Sequence, residues 1–372
     1  METFLSKEYY LHDDPRMAEA WAPWFSHEYI TYFTVNSAEE LMGLPPVPVR
    51  SNPCHDDESW PIGPRHIDLY KESYQEVRQQ DPFLSFDYGW RNGEYSTEPP
   101  MHATIEPWKV LVLYSTEPDL KPDYDLFLHK RQKATGGSHG WRHMQFKAFA
   151  LTYGMAPESF RRHRDVALRA FRKGNDYWGW RFLSRCTHYL ADLGHPFHVK
   201  AAPSWFLARN IFSFHDLFQT VSALHTSYEI YTERRFREGS RAFKDALMQG
   251  AGEGLASLRQ PDSWLDDYIS RARSRLKPVF HFMLDEFGGE LVDVYSRLDH
   301  TSHTDVADQT KQCSADAAGI IFDDTHLASL GFLDRITSEI LYDVGKMLGM
   351  LLSGFSLGEK QENSLLIPRA SS

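Results

Sequence analysis

Cysteine is scarce in this chain: 372 residues include three, Cys54, Cys186 and Cys313, and no two of them form a CxxC pair. An odd, scattered set argues against a disulfide framework and against a thiolate zinc site, and it suits a reducing compartment. Long apolar runs are also missing. No stretch of eighteen apolar residues occurs, which excludes a transmembrane helix; the longest candidate, MLGMLLSGF at 347–355, is short and contains glycine. The opening METFLSKEYYLHDDPRMAEAW lacks the apolar core of a secretory signal, because Asp13, Asp14, Arg16 and Glu19 interrupt it. A cytoplasmic location is therefore expected. Excess positive charge is absent too. The formal net charge is -11, which argues against a surface built to hold duplex nucleic acid through many phosphate contacts. The basic run FRRHRDVALRAFR at 160–172 reads as the solvated face of a helix.

What is present divides the chain unevenly. Ten of the twenty prolines fall between Pro45 and Pro107, in a stretch that also holds Trp60, Phe83, Phe86, Tyr88 and Trp90. Long helices are disfavoured there, and residues 34–107 read as an irregular insertion of loops. VLVLY at 110–114 is strand-like or buried, and equally able to open a helix. Downstream the apolar spacing is helical over 157–171, 177–193, 213–237, 241–258, 261–286 and 331–355. The last of these carries an ordinary core-packing stripe. The expected fold is mainly α: one helical domain over residues 1–372, with the Pro- and aromatic-rich segment inserted in it.

The chemistry concentrates in THYLADLGHPFHV, residues 187–199. His188 and Asp192 are four apart, so on a helix they stand on one face, as two ligands of one ion must. Gly194 and Pro196 then break the helix, which lets His198 return toward the same cleft. A second pair with this spacing, His225 and Glu229, lies in LHTSYEI. Imidazole and carboxylate without thiolate suit a catalytic zinc that keeps a position open for water. One such pair alone is usually a solvated surface pair. Two pairs plus His198, with an aspartate set in apolar sequence, favour a metal over a core hydrogen-bond network. His195, in the turn, reads as facing solvent or as standing behind the ligands. His215 and Asp216 form the dipeptide of the HD phosphohydrolases, a reading that leaves His198 and Glu229 unexplained.

HYLADLGHPFH followed by HTSYE resembles the zinc-dependent phospholipase C and fungal single-strand-specific nuclease superfamily, whose pattern is His-x3-Asp-x5-His, then His-x3-Glu or His-x3-Asp. The resemblance implies a mainly helical, multi-helix domain that hydrolyses phosphate esters with up to three clustered zinc ions. It implies that His188 and Asp192 hold one zinc, with Asp192 bridging to a neighbour, and that His198, His225 and Glu229 hold the ion nearest the leaving group. It also implies an upstream aspartate and histidine, matched by Asp119 in STEPD and by His143, favoured over His139, in GGSHGWRHMQF. His27 in APWFSHEYITYFTV matches the early histidine of a third zinc. There the family uses the free amine of an N-terminal tryptophan, whereas Trp21 and Trp24 are internal, so two or three zinc ions are expected.

The implied reaction is attack of a zinc-activated hydroxide on a phosphodiester. Zinc lowers the pKa of bound water from about 15.7 toward about 7, and Asp119 at the edge of the cluster is the candidate general base. Glu229, rather than aspartate, leans toward a phospholipid head group as substrate. Single-stranded nucleic acid or a nucleotide is the alternative, and a non-catalytic, zinc-stabilised binding protein is the reading from another class.

Overall fold

The structure, a computed structural model, describes residues 26–50, 104–115, 118, 142–148, 151–210, 212–257, 260–296 and 306–356. Among these the chain is mostly helical. The elements are α1 (Ser26–Asn36), α2 (Glu39–Met42), β1 (Val47–Pro48), β2 (Thr104–Ile105), α3 (Pro107–Leu113), β3 (Phe146–Ala148), β4 (Leu151–Tyr153) and α4 (Ala156–Arg172). There follow α5 (Asp176–Gly194), α6 (Pro196–Val199), α7 (Ser204–Arg209), α8 (Phe214–Arg237), α9 (Arg241–Leu255), α10 (Pro261–Ser296), α11 (Val306–Ile321) and α12 (Leu330–Ser356). No helix among the described residues is long and apolar enough to cross a membrane.

The architecture is organised around α5. Every residue from Tyr177 to Gly194 is buried, so this helix has no solvent face and must be enclosed by others. Its first turn is capped by Asn175, whose side chain accepts from the Trp178 amide at 3.4 Å. Helices α3, α4 and α12 pack along it. Its charged side chains are given local partners: the Arg181 guanidinium lies 4.2 Å from the Tyr114 ring centre and 4.4 Å from that of Trp178, contacts that offset desolvation of a cation. The basic run predicted on one helix is part of α4. Phe160, Val166, Ala167 and Ala170 face inward, while Arg161 and Arg164 bind Asp262 at the start of α10.

Helices α9 and α12 approach until their backbones touch. A Cβ at Gly250 or Gly254 would collide with the carbonyls of Tyr342 or Lys346, and one at Gly345 or Gly349 with those of Leu247 or Ala251. Only glycine permits that spacing. Helix α12 is then tied to α10 by Asp343, which is buried and accepts from Arg271 Nε at 2.8 Å and from Arg271 and Arg275 terminal nitrogens. It is tied to α8 by Asp334, which accepts from the Tyr231 hydroxyl and from Arg235.

The structure decides some sequence readings and extends others. VLVLY is helical, inside and just after α3, with Pro107 in the first turn where a missing N–H costs nothing. The helix expected over 261–286 continues to Ser296. The β3–β4 hairpin and α11 had no sequence signal strong enough to be named. Of the segment read as an insertion, residues 34–50 hold the end of α1, then α2 and β1, and β1 pairs with β2 in register Val47 with Ile105. Residues 51–103 lie outside the described residues.

Candidate metal centre

His188 and Asp192 sit one turn apart near the end of α5. The helix stops at Gly194, where a Cβ would strike the Tyr268 hydroxyl and a Val344 methyl. His195 then takes an extended backbone (φ -74°, ψ 121°), and its amide still donates to the Asp192 carbonyl at 3.0 Å. Pro196 opens α6, and the His198 amide donates to the His195 carbonyl at 3.0 Å. This tight reversal returns His198 to Asp192: its Nδ1 is 2.9 Å from Asp192 Oδ1.

Three other segments converge on the same point. Helix α1 contributes His27, and α8 contributes His225 and Glu229. His143 comes from the helical residues 142–143 just before β3. The connection that follows is fixed to α6 by the Gln145 amide donating to the His198 carbonyl at 2.8 Å. Arg273 of α10 clamps both pieces: its Nε donates to the Val199 carbonyl at 3.0 Å and a terminal nitrogen to Gln145 Oε1 at 2.8 Å.

Two sets of ligand-type atoms result. In the first, His143 Nδ1, His188 Nε2 and Asp192 Oδ2 form a triangle with sides of 2.9, 3.0 and 3.1 Å. His27 adjoins it, stacked on His188 with ring centres 3.9 Å apart and its Nε2 3.6 Å from Asp192 Oδ1. In the second set Glu229 Oε1 lies 3.0 Å from His225 Nε2 and 3.2 Å from His198 Nε2, and His195 joins them. Asp192 links the two sets: its Oδ2 belongs to the first, and its Oδ1 stands 2.9 Å from Nδ1 of His198 in the second.

The first triangle fits a metal ion on its own geometry. Ligands about 2.0 Å from a tetrahedral ion stand about 3.3 Å from one another, close to these sides. The tautomer of His188 sharpens the point. Its Nδ1 donates to the Ser115 carbonyl at 2.7 Å, which leaves Nε2 as the lone-pair nitrogen. That lone pair faces a carboxylate oxygen 3.1 Å away. A proton on His143 Nδ1 can serve one of these two neighbours but not both, and the remaining repulsion is removed either by a cation among the three atoms or by a second proton on His188.

The surrounding field is set by mutual dependence. Without a metal the imidazoles can carry protons instead: burial alone would raise the Asp192 carboxyl, but protonated His188 and His198 hold it well below the usual carboxylate range. Burial likewise opposes ionisation of Glu229, and His225 together with His198 holds its carboxyl well below the usual range. His198 loses solvation, yet Asp192 on one side and Glu229 on the other push it up to about 10. His195 goes the other way: burial first, then His198 and His225, hold it well below its ordinary value, as a neutral imidazole.

Comparison with protein-family models, with curated proteins and with solved structures yields no match. The centre is therefore read from its own geometry. Of the residues singled out in the sequence, His27, His143, His188, Asp192, His198, His225 and Glu229 are brought together. Asp119, His139, Trp21 and Trp24 lie outside the described residues. Asp216 is exposed in the first turn of α8 and belongs to neither set. His195 departs from one of its two sequence readings. It does not face solvent: it is 3% exposed, inside the second set. Its i, i+3 relation to His198 was the signal that could have found it.

Proposed function

We propose that this chain is a zinc-dependent phosphoric ester hydrolase of the phospholipase C type, in which a metal-bound hydroxide attacks a phosphodiester. The observation that carries the reading is the position of Asp192, a single carboxylate whose two oxygens face His143 and His188 on one side and His198 on the other. An arrangement that joins two imidazole sets through one carboxylate suits neighbouring cations acting on one phosphate. Its residues are those that the resemblance to the phospholipase C and nuclease superfamily implies.

Zinc, when bound, would supply a nucleophile at neutral pH and offset charge on the phosphate. The chain's own residues would hold and orient. His143, His188 and Asp192 Oδ2 form the first cradle. Ser115 fixes the tautomer of His188 through its carbonyl. His27, beside Asp192 Oδ1, is the residue for a third ion, giving two or three in all. Asp119, the proposed general base, follows Ser115 by four residues, and the role rests on the resemblance. The substrate is a phospholipid head group, or alternatively single-stranded nucleic acid.

The test is elemental analysis of purified, untreated protein joined to two hydrolysis assays, each with and without chelator. Two or three zinc ions per chain and chelator-sensitive release of phosphocholine from phosphatidylcholine are expected. Hydrolysis of single-stranded DNA with no action on the lipid would transfer the reading to the nuclease branch. A folded, metal-free preparation that gains no activity with added zinc would refute it.

A further inference from the structure

We infer that His195 is a fourth protein ligand of the second centre, so that His195, His198, His225 and Glu229 together enclose one cation and leave it no open position. This rests on the metal-dependent reading above and changes one part of it: the ion at His198, His225 and Glu229 is closed and acts on the phosphate through its charge alone, instead of standing open beside the leaving group, and the reacting water is confined to the centre at His143, His188 and Asp192.

Three observations carry it. One ligand atom from each of the four side chains lies within 4.8 Å of those from the other three. The ring centres of His195, His198 and His225 are 4.5, 4.8 and 5.2 Å apart, where three imidazoles on one tetrahedral ion place theirs about 5 Å apart. Glu229 Oε1 completes the group at 3.0 and 3.2 Å from His225 and His198.

The backbone explains why His195 can take this place. Its carbonyl accepts from the His198 amide, which makes the two residues i and i+3 of one tight turn with both rings on the same side. Pro196 limits the freedom of that turn. On α8 the spacing is i, i+4, so two short segments supply two ligands each. His198 also has a carboxylate behind it, its Nδ1 2.9 Å from Asp192 Oδ1, the kind of neighbour that orients a ligating imidazole. Three imidazoles and one carboxylate fill a tetrahedron. A site filled by four protein side chains holds structure, whereas a catalytic zinc keeps a position for water.

The experiment uses cobalt as a coloured probe in the full chain. Wild type loaded with cobalt should show the intense visible absorption of a four-coordinate ion. His195→Gln should weaken affinity at one centre at least tenfold and reduce that absorption, with the other centre unchanged. His163→Gln, which alters a buried histidine bonded to the Ser159 carbonyl, should change neither. Should His195→Gln not fold, NMR of cadmium-loaded wild type with nitrogen-labelled histidine serves instead, and a cadmium–nitrogen coupling to His195 is expected. Unchanged cobalt affinity and spectrum in folded His195→Gln, or two loaded centres without that coupling, would overturn the assignment while leaving the metal-dependent reading intact. A wild-type chain that binds no metal would remove both.

Discussion

Gly194→Ala is the smallest change that connects the fold to the centre. Gly194 ends α5, two residues after Asp192 and four before His198. A Cβ there would meet the Tyr268 hydroxyl and a Val344 methyl. Both neighbours are buried, at 1% and 2% exposure, so neither can swing into solvent. Overpacking of this kind costs about 1–3 kcal/mol. If Tyr268 moves aside, its 2.7 Å hydrogen bond to the Leu190 carbonyl is lost, adding about 1 kcal/mol. Alanine returns about 0.5–1 kcal/mol through helix propensity, so the net loss is about 1–3 kcal/mol. Gly252→Ala is the control, because nothing lies within 4 Å of a Cβ at that helical position. It should stabilise by about 0.5–1 kcal/mol. Urea unfolding of the metal-free proteins measures both, and zinc titration should show weaker binding in Gly194→Ala alone, since the shift moves His198 relative to Asp192. The reasoning fails if both substitutions stabilise, or if Gly194→Ala leaves stability and zinc affinity at wild-type values.

Three further outcomes are expected. Removing metal with a chelator should lower the urea midpoint, because an ion bound only to the folded chain contributes about 2.7 kcal/mol at a hundredfold excess over its Kd; identical curves with and without chelator would contradict a metal held by these side chains. In metal-free protein His198 is raised to about 10, so its contribution is complete below its ordinary 6.5 and declines as pH rises toward 10. Asp192 acts with the opposite sign: its contribution is present above the ordinary carboxylate pKa and disappears as pH falls through its depressed value. Stability measured across pH 6.5 to 10 should therefore fall in wild type and fall less in His198→Gln, and equal slopes would be evidence against the pairing. Finally, Asp343→Ala should cost about 2–3 kcal/mol by urea unfolding, the lower side of the range for breaking a buried pair, because Arg271 is half exposed while Asp343 is not. Arg271→Ala should cost less than about 1 kcal/mol, and the reverse order would show that the carboxylate is not what ties α10 to α12.

The parts of this molecule that were legible in the sequence are those where a local pattern dictates a local geometry. Two His-x3-acid pairs fix two ligands on one helix face wherever the helix lies, and the Gly-x-Pro interruption before His198 predicts the reversal that returns it to Asp192. Residues whose environment comes from elsewhere in the chain were harder to read. His195 stands in a turn beside proline, a setting that is exposed in most proteins; here α8 closes over it, with the Tyr228 ring 5.2 Å away. VLVLY has five apolar residues in a row, and such a run fits a buried strand or a buried helix equally. Gly288 and Gly289 look like a helix stop, yet Met283, Phe287, Leu291 and Val294 keep helical spacing across them and bury α10 on one side. The facing glycines of α9 (Gly250, Gly254) and α12 (Gly345, Gly349) are informative only together, since each helix alone shows merely several destabilising glycines.

The same contrast explains why the centre lies at the end of α5 and not on a loop. A helix enclosed on every side loses the solvation of each charged group it carries, and α5 carries Arg181, Arg185, His188 and Asp192 inward. Burying a carboxylate is tolerated only where several cations or donors face it. Asp192 meets that requirement through imidazoles from α1, the helical residues just before β3, α5 itself and α6. Those imidazoles in turn depend on Asp192 for their own orientation. Each member is therefore costly without the rest, and the cluster can be held only by segments that the surrounding helices have already fixed. Its geometry is tied to packing, because His27 and His198 ride on segments packed against α5 and His225 and Glu229 on a helix packed against α10, so moving one of these ligands displaces the helix that carries it.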